Sequence, residues 1–176
     1  MACEKLSQYG LPALTDAELL TITGCKSDLT TYYQSPQFRA AKELARRQEY
    51  IERPKFMSSQ NTADYLGFLR EEQTEFFCVL LLNNANRLIK SVCVGRGGIT
   101  ATAVDFHGIF KEALECRATA IIAAHNHPSG KEIPSNEDKS LTRALSNAGS
   151  IMRIKLLDHV IITQFGHYSF ADNGEI

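Results

Sequence analysis

The 176-residue chain has almost no net charge, since 19 Lys and Arg stand against 20 Asp and Glu. A balance of −1 creates no broad field for gathering a polyanion, so direct nucleic-acid binding is not expected without a local basic patch. Closely spaced cysteines are also missing. Cys3, Cys25, Cys78, Cys93 and Cys116 are odd in number and never closer than fifteen residues. That spacing argues against a disulfide framework and against a CxxC metal knuckle. They are read as free thiols in a reducing compartment, with Cys78 and Cys93 as small core residues. Long apolar runs are absent too. Glu4, Lys5, Asp16 and Glu18 break any signal-peptide core, and no stretch approaches a membrane span. These absences predict a soluble, cytoplasmic protein, without internal repeats or low-complexity tracts.

What is present is an ordinary hydrophobic content of 44%, enough for one domain with a small appendage. Residues 1–59 read as a helical N-terminal appendage packed on the main domain. Thr15 and Glu18 form a capping-box pair for a short helix stopping near Gly24, and Ser35-Pro36 fits the start of a second helix that Pro54 closes. Residues 60–176 read as a compact α/β unit. Asn61 and Asp64 are candidate caps for a helix carrying Leu66 and Leu69. Phe76 to Leu82 is a continuous apolar run, as in a strand covered on both faces, and Asn83 to Asn86 supplies a turn into a partner strand from Leu88 to Val94. Phe106, Ile109, Phe110, Ala113 and Leu114 recur at helical spacing and predict a core-facing helix. Thr119 to Ala124 is a short strand leading into His125. Ser135 then opens a helix with Leu141, Ala144, Leu145 and Ala148 inward and Gly149 as its stop. Ile154 to Thr163 and Tyr168 to Phe170 supply the last strands.

The chemistry concentrates at the end of the short strand, in His125-Asn126-His127-Pro128. Residues two apart in extended backbone project to one side, so both imidazoles can address one point while Asn126 faces away. Asp138 lies three and seven residues before Leu141 and Leu145, on the inward stripe of the next helix. A carboxylate directed inward needs a partner, and a divalent cation is one. Two imidazoles and one carboxylate leave a fourth tetrahedral position open, the arrangement of a catalytic rather than a structural zinc. Water there would be acidified enough to act as hydroxide near neutral pH. The same inventory also serves an iron(II) facial triad, and Ser135 with Asp138 is equally a plain capping box.

HxHP, six residues, then SxxD resembles the core of the JAMM metalloprotease motif, and the wording His125-Asn-His-Pro-Ser-Gly130 is similar to its RadC branch. The likeness extends to Glu75 with the strand Phe76 to Leu82, the Asn83 to Asn86 turn, Gly97-Gly98, the Phe110 to Leu114 segment and the Leu156 to Ile162 strand, covering about residues 60–170. The resemblance implies a JAB/MPN, cytidine-deaminase-like three-layer α/β fold, a mixed sheet flanked by helices. It also implies one zinc ion per chain on His125, His127 and Asp138, with Ser135 donating to the developing oxyanion and Glu75 as general acid/base. The expected activity is hydrolysis of a peptide or isopeptide amide bond in an unidentified protein or peptide substrate. His107, His159 and His167 match no ligand position. The DNA-binding hairpin common in RadC proteins is missing between the Glu4 to Leu20 and Ala40 to Arg47 segments. Asp105-Phe106-His107-Gly108 likewise replaces the family's HPRE-like run.

Two readings compete with hydrolysis: a DNA-repair-associated accessory protein, and a metal-binding interaction module without protease activity. The letters HNH do not signal an HNH nuclease, whose named residues are dispersed through a ββα-metal motif. A zinc deaminase would need HxE followed by PCxxC, and neither occurs.

Overall fold

The computed structural model describes residues 34–96 and 104–176. The chain divides into two units between Glu52 and Arg53. Of the first unit, the described part is helix α1 (Pro36–Glu52). It begins as its sequence predicts, with Pro36 in the first turn and the Ser35 hydroxyl accepting the Phe38 N–H at 3.1 Å. Glu43 bridges Arg46 and Arg47, one turn on, at 2.8 Å each. The helix expected from Thr15 to Gly24 and the Gly97-Gly98 pair lie outside the described residues.

The second unit is built on a five-stranded mixed sheet in the order β2-β1-β3-β4-β5. The strands are β1 (Phe76–Leu82), β2 (Leu88–Arg96), β3 (Ala120–Asn126), β4 (Lys155–Ile162) and β5 (His167–Ser169). Only β3 and β4 run parallel. Parallel neighbours need a crossover, here helix α4 (Asn136–Met152), while β1 and β2 need only the Asn83–Asn86 turn. Asn83 Oδ1 closes that turn by accepting the Ala85 and Arg87 N–H groups, and Asn86 takes the left-handed conformation at φ 55°.

Both faces of the sheet are covered, which explains why β1 and β3 read as continuous apolar runs. On one face, Phe77, Val79, Leu81, Ile121 and Ala123 pack against Leu141 and Leu145 of α4 and against helix α3 (Phe106–Glu115). On the other, Cys78, Leu80, Ile122, Val160 and Ile162 meet Phe56, Leu66 and Leu69. Leu66 and Leu69 follow helix α2 (Ser59–Tyr65), in and beside a 3-10 turn at Gly67–Glu71.

Several expectations need correction. Phe56 is a core residue and Lys55 bridges to Arg87, so the compact unit includes residues 53–59, which the sequence assigned to the appendage. The cap of α2 is Ser58, not Asn61 or Asp64; Asn61 instead accepts the Met57 N–H. Leu114 faces solvent at the end of α3. Helix α4 runs through Gly149 to Met152 and stops at Arg153, which itself adopts φ 56°. Gly149 instead leaves room for the backbone, since a Cβ there would stand 2.3 Å from the Ile154 carbonyl oxygen, where the chain folds back to begin β4. Finally, Cys78 and Cys93 are not free thiols. The β1–β2 register sets them opposite each other with Cα atoms 4.1 Å apart, and their sulfurs form a disulfide. Fifteen residues of sequence separation hid this cross-strand contact. Cys78 is buried, whereas Cys93, on the edge strand, is exposed.

Candidate metal centre

Strand β3 is buried along its whole length, held antiparallel by β1 and parallel by β4, and this fixes the direction in which its last side chains project. His125 is fully buried on the face that carries Ala123 and Phe77. His127 continues the ladder by donating its backbone N–H to Ile162 at 2.9 Å. The chain then turns through Pro128 to Gly130, whose φ of +76° suits glycine best, and returns so that the Lys131 carbonyl accepts from His127 Nδ1 at 2.7 Å. A proton on Nδ1 leaves His127 Nε2 as the ring's outward donor atom.

Asp138 is the third residue of α4 and is buried. Ser135 holds it in a complete capping box. The Ser135 hydroxyl accepts the Asp138 N–H at 3.1 Å, and Asp138 Oδ2 accepts both the Ser135 N–H at 2.7 Å and its hydroxyl at 2.6 Å. The carboxylate thereby sits over the histidines. His125 Nε2 is 3.2 Å from Asp138 Oδ1, His127 Nε2 is 3.5 Å from Oδ2, and the two ring nitrogens are 3.0 Å apart. Zinc bonds of about 2.0–2.1 Å in a tetrahedron imply donor separations of about 3.3 Å. The two Asp138 oxygens each approach one ring near that spacing, and with one atom taken from each residue the three lie within 4.8 Å of one another, so among the described residues they form a group that could hold a metal ion.

Electrostatics reinforce the arrangement. Burial opposes the charge on Asp138, yet the His125 and His127 imidazoles beside it, with Ser135, outweigh burial and hold the carboxyl far below the usual carboxylate range. The same contact with Asp138 raises the pKa of His127 against its own desolvation, with smaller help from Lys131 and Glu75.

Glu75 reaches this neighbourhood through register. Phe77 pairs with His125 across β1 and β3, so two residues earlier in β1's approach and two later in β3 bring Glu75 and His127 to the same face. Asn126, facing away from the histidines as expected, pins that approach. Its amide donates to the Glu72 and Thr74 carbonyls and its carbonyl accepts the Phe76 N–H at 2.7 Å.

Two further residues join the cluster that sequence reasoning did not assign to it. His159 is fully buried, with Nε2 at 2.9 Å from His125 Nδ1 and Nδ1 at 2.6 Å from the Thr142 hydroxyl. Phe170 stacks on its ring and Phe77 meets it edge-on. Burial pushes its pKa well below the ordinary value. Polar Asp158-His159 within an apolar strand, and Thr142 one turn after Asp138, were the signals that could have found them. Of the remaining histidines, His107 is exposed, and His167 is half-buried beside the Ser59 hydroxyl at 3.1 Å.

Beside His127 lies an open groove of about 610 Å³, running past Pro128 between the 3-10 turn and the β4–β5 turn. Arg70 ties its two walls, donating to the Thr163 carbonyl at 2.9 Å and the Gly166 carbonyl at 3.3 Å. No helix among the described residues is long and apolar enough to cross a membrane.

Residues 56–175 match the family model described as RadC-like JAB domain. The chain is 42% identical over 139 residues to a UPF0758 protein of Flavobacterium johnsoniae, covering 77% of this chain and 61% of that protein. It is 36% identical to a UPF0758 protein of Pasteurella multocida, covering 98% and 94% of the two chains, and 35% identical to one of Haemophilus influenzae, covering 98% and 96%. The latter two alignments run over 211 positions, more than this chain possesses, so these relatives carry residues without a counterpart here.

Proposed function

Because the chain belongs to the RadC-like JAB domain family, we propose that it is a zinc-dependent hydrolase of JAMM type that cleaves a peptide or isopeptide amide bond. The observation that carries this reading is the convergence of His125 Nε2, His127 Nε2 and the Asp138 carboxylate within a few ångströms, with Glu75 brought by register to the face of His127. His125, His127 and Asp138 would hold the ion. When bound, a divalent cation supplies a fixed positive charge that acidifies water and polarises a carbonyl.

The protein's own groups do the rest. The groove beside His127 is where an extended chain would lie against the edge of the cluster. Glu75 takes a proton from the attacking water at its carboxylate and returns it to the leaving nitrogen, which must depart as a neutral amine. Asn126 keeps the Glu75 segment in register with His127 during that exchange.

Ser135 favours a second reading at one point. Its single hydroxyl proton is directed at Asp138 Oδ2, so it serves the ligand rather than an oxyanion unless substrate binding redirects it. A domain that binds metal and partner but does not turn over would have that feature.

Glu75→Gln separates the two readings. Metal content by elemental analysis and cleavage of an internally quenched peptide library and an isopeptide-linked conjugate are the measurements. About one zinc per chain in both proteins, with turnover falling by roughly 10²–10⁴-fold in the variant, is the expected result. Undiminished turnover in Glu75→Gln overturns the mechanism, and a chain that takes up no zinc overturns the site.

A further inference from the structure

We propose that His159 is a positioning residue of the metal centre: it accepts the Nδ1 proton of His125 and so fixes the tautomer in which His125 Nε2 presents a lone pair to the ion. The purpose of this arrangement rests on the metal-site reading above. The tautomer itself is a property of the protein chain.

The protons can be counted from one end. Thr142 Oγ1 stands 2.6 Å from the Asp138 backbone carbonyl, and a carbonyl has no proton, so the proton in that contact belongs to the threonine. A hydroxyl has only one. The contact between Thr142 Oγ1 and His159 Nδ1, also 2.6 Å, must then be made with a proton on Nδ1 and the hydroxyl oxygen accepting. His159 is sealed between Phe77 and Phe170 and fully buried, and among the described residues no carboxylate bonds to its ring; burial and the adjacent His125 outweigh the nearby Asp138 charge, so the ring stays neutral. A neutral ring with its proton on Nδ1 has a bare Nε2. The remaining contact, His125 Nδ1 to His159 Nε2 at 2.9 Å, is consequently donated by His125. With that proton on Nδ1, Nε2 is the nitrogen left to face His127 and Asp138 and to offer a lone pair to an ion held there.

The chain of bonds therefore starts on the backbone of α4 at the residue whose side chain is itself a candidate ligand. Asp138, Thr142, His159 and His125 close a loop through α4, β4 and β3. His127 solves the same problem separately, through the Lys131 carbonyl. A β-bulge makes the loop possible. Register slips by one residue at Leu157, since Ile121 pairs with Leu156 but Ile122 with Asp158, and this puts Leu156 and His159 on one face of β4.

Two measurements on the full chain test the proposal. The first is long-range proton–nitrogen NMR of the five histidine rings in metal-free protein above pH 8, assigned by single His→Gln variants. A proton on His125 Nδ1 and none on His159 Nε2 is expected in the unaltered chain, and the opposite pattern overturns the proposal. The second is zinc affinity, by competition with a chromophoric chelator, in His159→Gln, His159→Asn and His159→Leu. The glutamine carbonyl can reach the position of Nε2 and accept from His125, whereas asparagine reaches only the position of Nδ1. Affinity within about threefold of the unaltered chain is expected for Gln, with losses of roughly 10–100-fold for Asn and Leu. Equal losses in all three folded variants, or none in any, overturn a role through His125. A chain that binds no zinc at all would overturn the parent reading, a different failure from a misplaced proton in a chain that does bind it.

Discussion

Asp138 is where stability and function contend for the same atoms. In the absence of metal its carboxylate lies against two histidines and accepts from Ser135, so an ion must displace contacts to gain its own. The pH dependence follows from the signs. His127 has a raised pKa in the folded chain, so its contact with Asp138 adds stability fully present below the unfolded value near 6.5, lost as pH rises through the higher folded value. Asp138 has a depressed pKa, so its contribution is present above about 3.8 and is lost on acidification through the folded value. Zinc must expel the His127 proton. Zinc affinity is therefore expected to rise with pH by up to about tenfold per unit until the raised His127 pKa is passed, then level off. Chelator competition between pH 6 and 8.5 measures it, and a flat profile would show that His127 does not bind through Nε2. Ser135 can be dissected in the same way. Ser135→Ala removes an N-cap and is expected to cost about 1 kcal/mol in urea denaturation, whereas Ser135→Gly costs only a few tenths as a cap but lacks the hydroxyl equally. If turnover falls in the Gly variant while stability holds, the hydroxyl acts in the reaction. If both variants lose stability in proportion to turnover, it acts as a cap.

At the scale of elements, helix α4 shows what a sequence reading can and cannot reach. Its N-cap, its buried stripe of Leu141 and Leu145, and the inward aim of Asp138 follow from local periodicity, which tertiary packing did not override. Strands β1 and β3 were equally legible because burial on both faces leaves an unbroken apolar run. What periodicity misses are contacts made by slippage or across the sheet. The Leu157 bulge shifts β4 by one residue and brings His159 to the histidine face, and the β1–β2 register joins Cys78 to Cys93. Gly149 misleads for a related reason: a glycine near a helix end suggests a stop, but here the requirement is for space. Gly149→Ala weighs the two effects. Alanine gains about 1 kcal/mol of intrinsic helix preference, but its Cβ would lie 2.3 Å from the Ile154 carbonyl, in backbone that the start of β4 holds fixed. Overpacking of this kind costs about 1–3 kcal/mol, so a net loss of stability is expected. A raised thermal midpoint in the alanine variant would mean the α4–β4 turn relaxes freely.

For the whole molecule, the decisive property of the candidate centre is how much of the chain it gathers. Glu75 precedes β1, His125 lies at the end of β3 and His127 just beyond it, Asp138 opens α4, and His159 lies in β4. No single hairpin or helix contains the site, so it exists only when the sheet and its crossover helix are assembled together. An ion that binds there should accordingly stabilise the global fold rather than one loop. For ligand in excess the gain is RT ln(1 + [L]/Kd), about 2.7 kcal/mol at a hundredfold excess over Kd. For a unit of this size a change of 1 kcal/mol moves the midpoint by about 4 °C, so a rise of roughly 10 °C is expected. Thermal unfolding should be followed by both far-ultraviolet and near-ultraviolet circular dichroism, with zinc, with chelator, and with Asp138→Asn as the control. Coincident shifts in the two signals, reversed by chelator and absent from the variant, fit an ion held between β3 and α4. An equal shift in Asp138→Asn would place the bound zinc elsewhere on the chain, and a near-ultraviolet change alone would confine its effect to local packing.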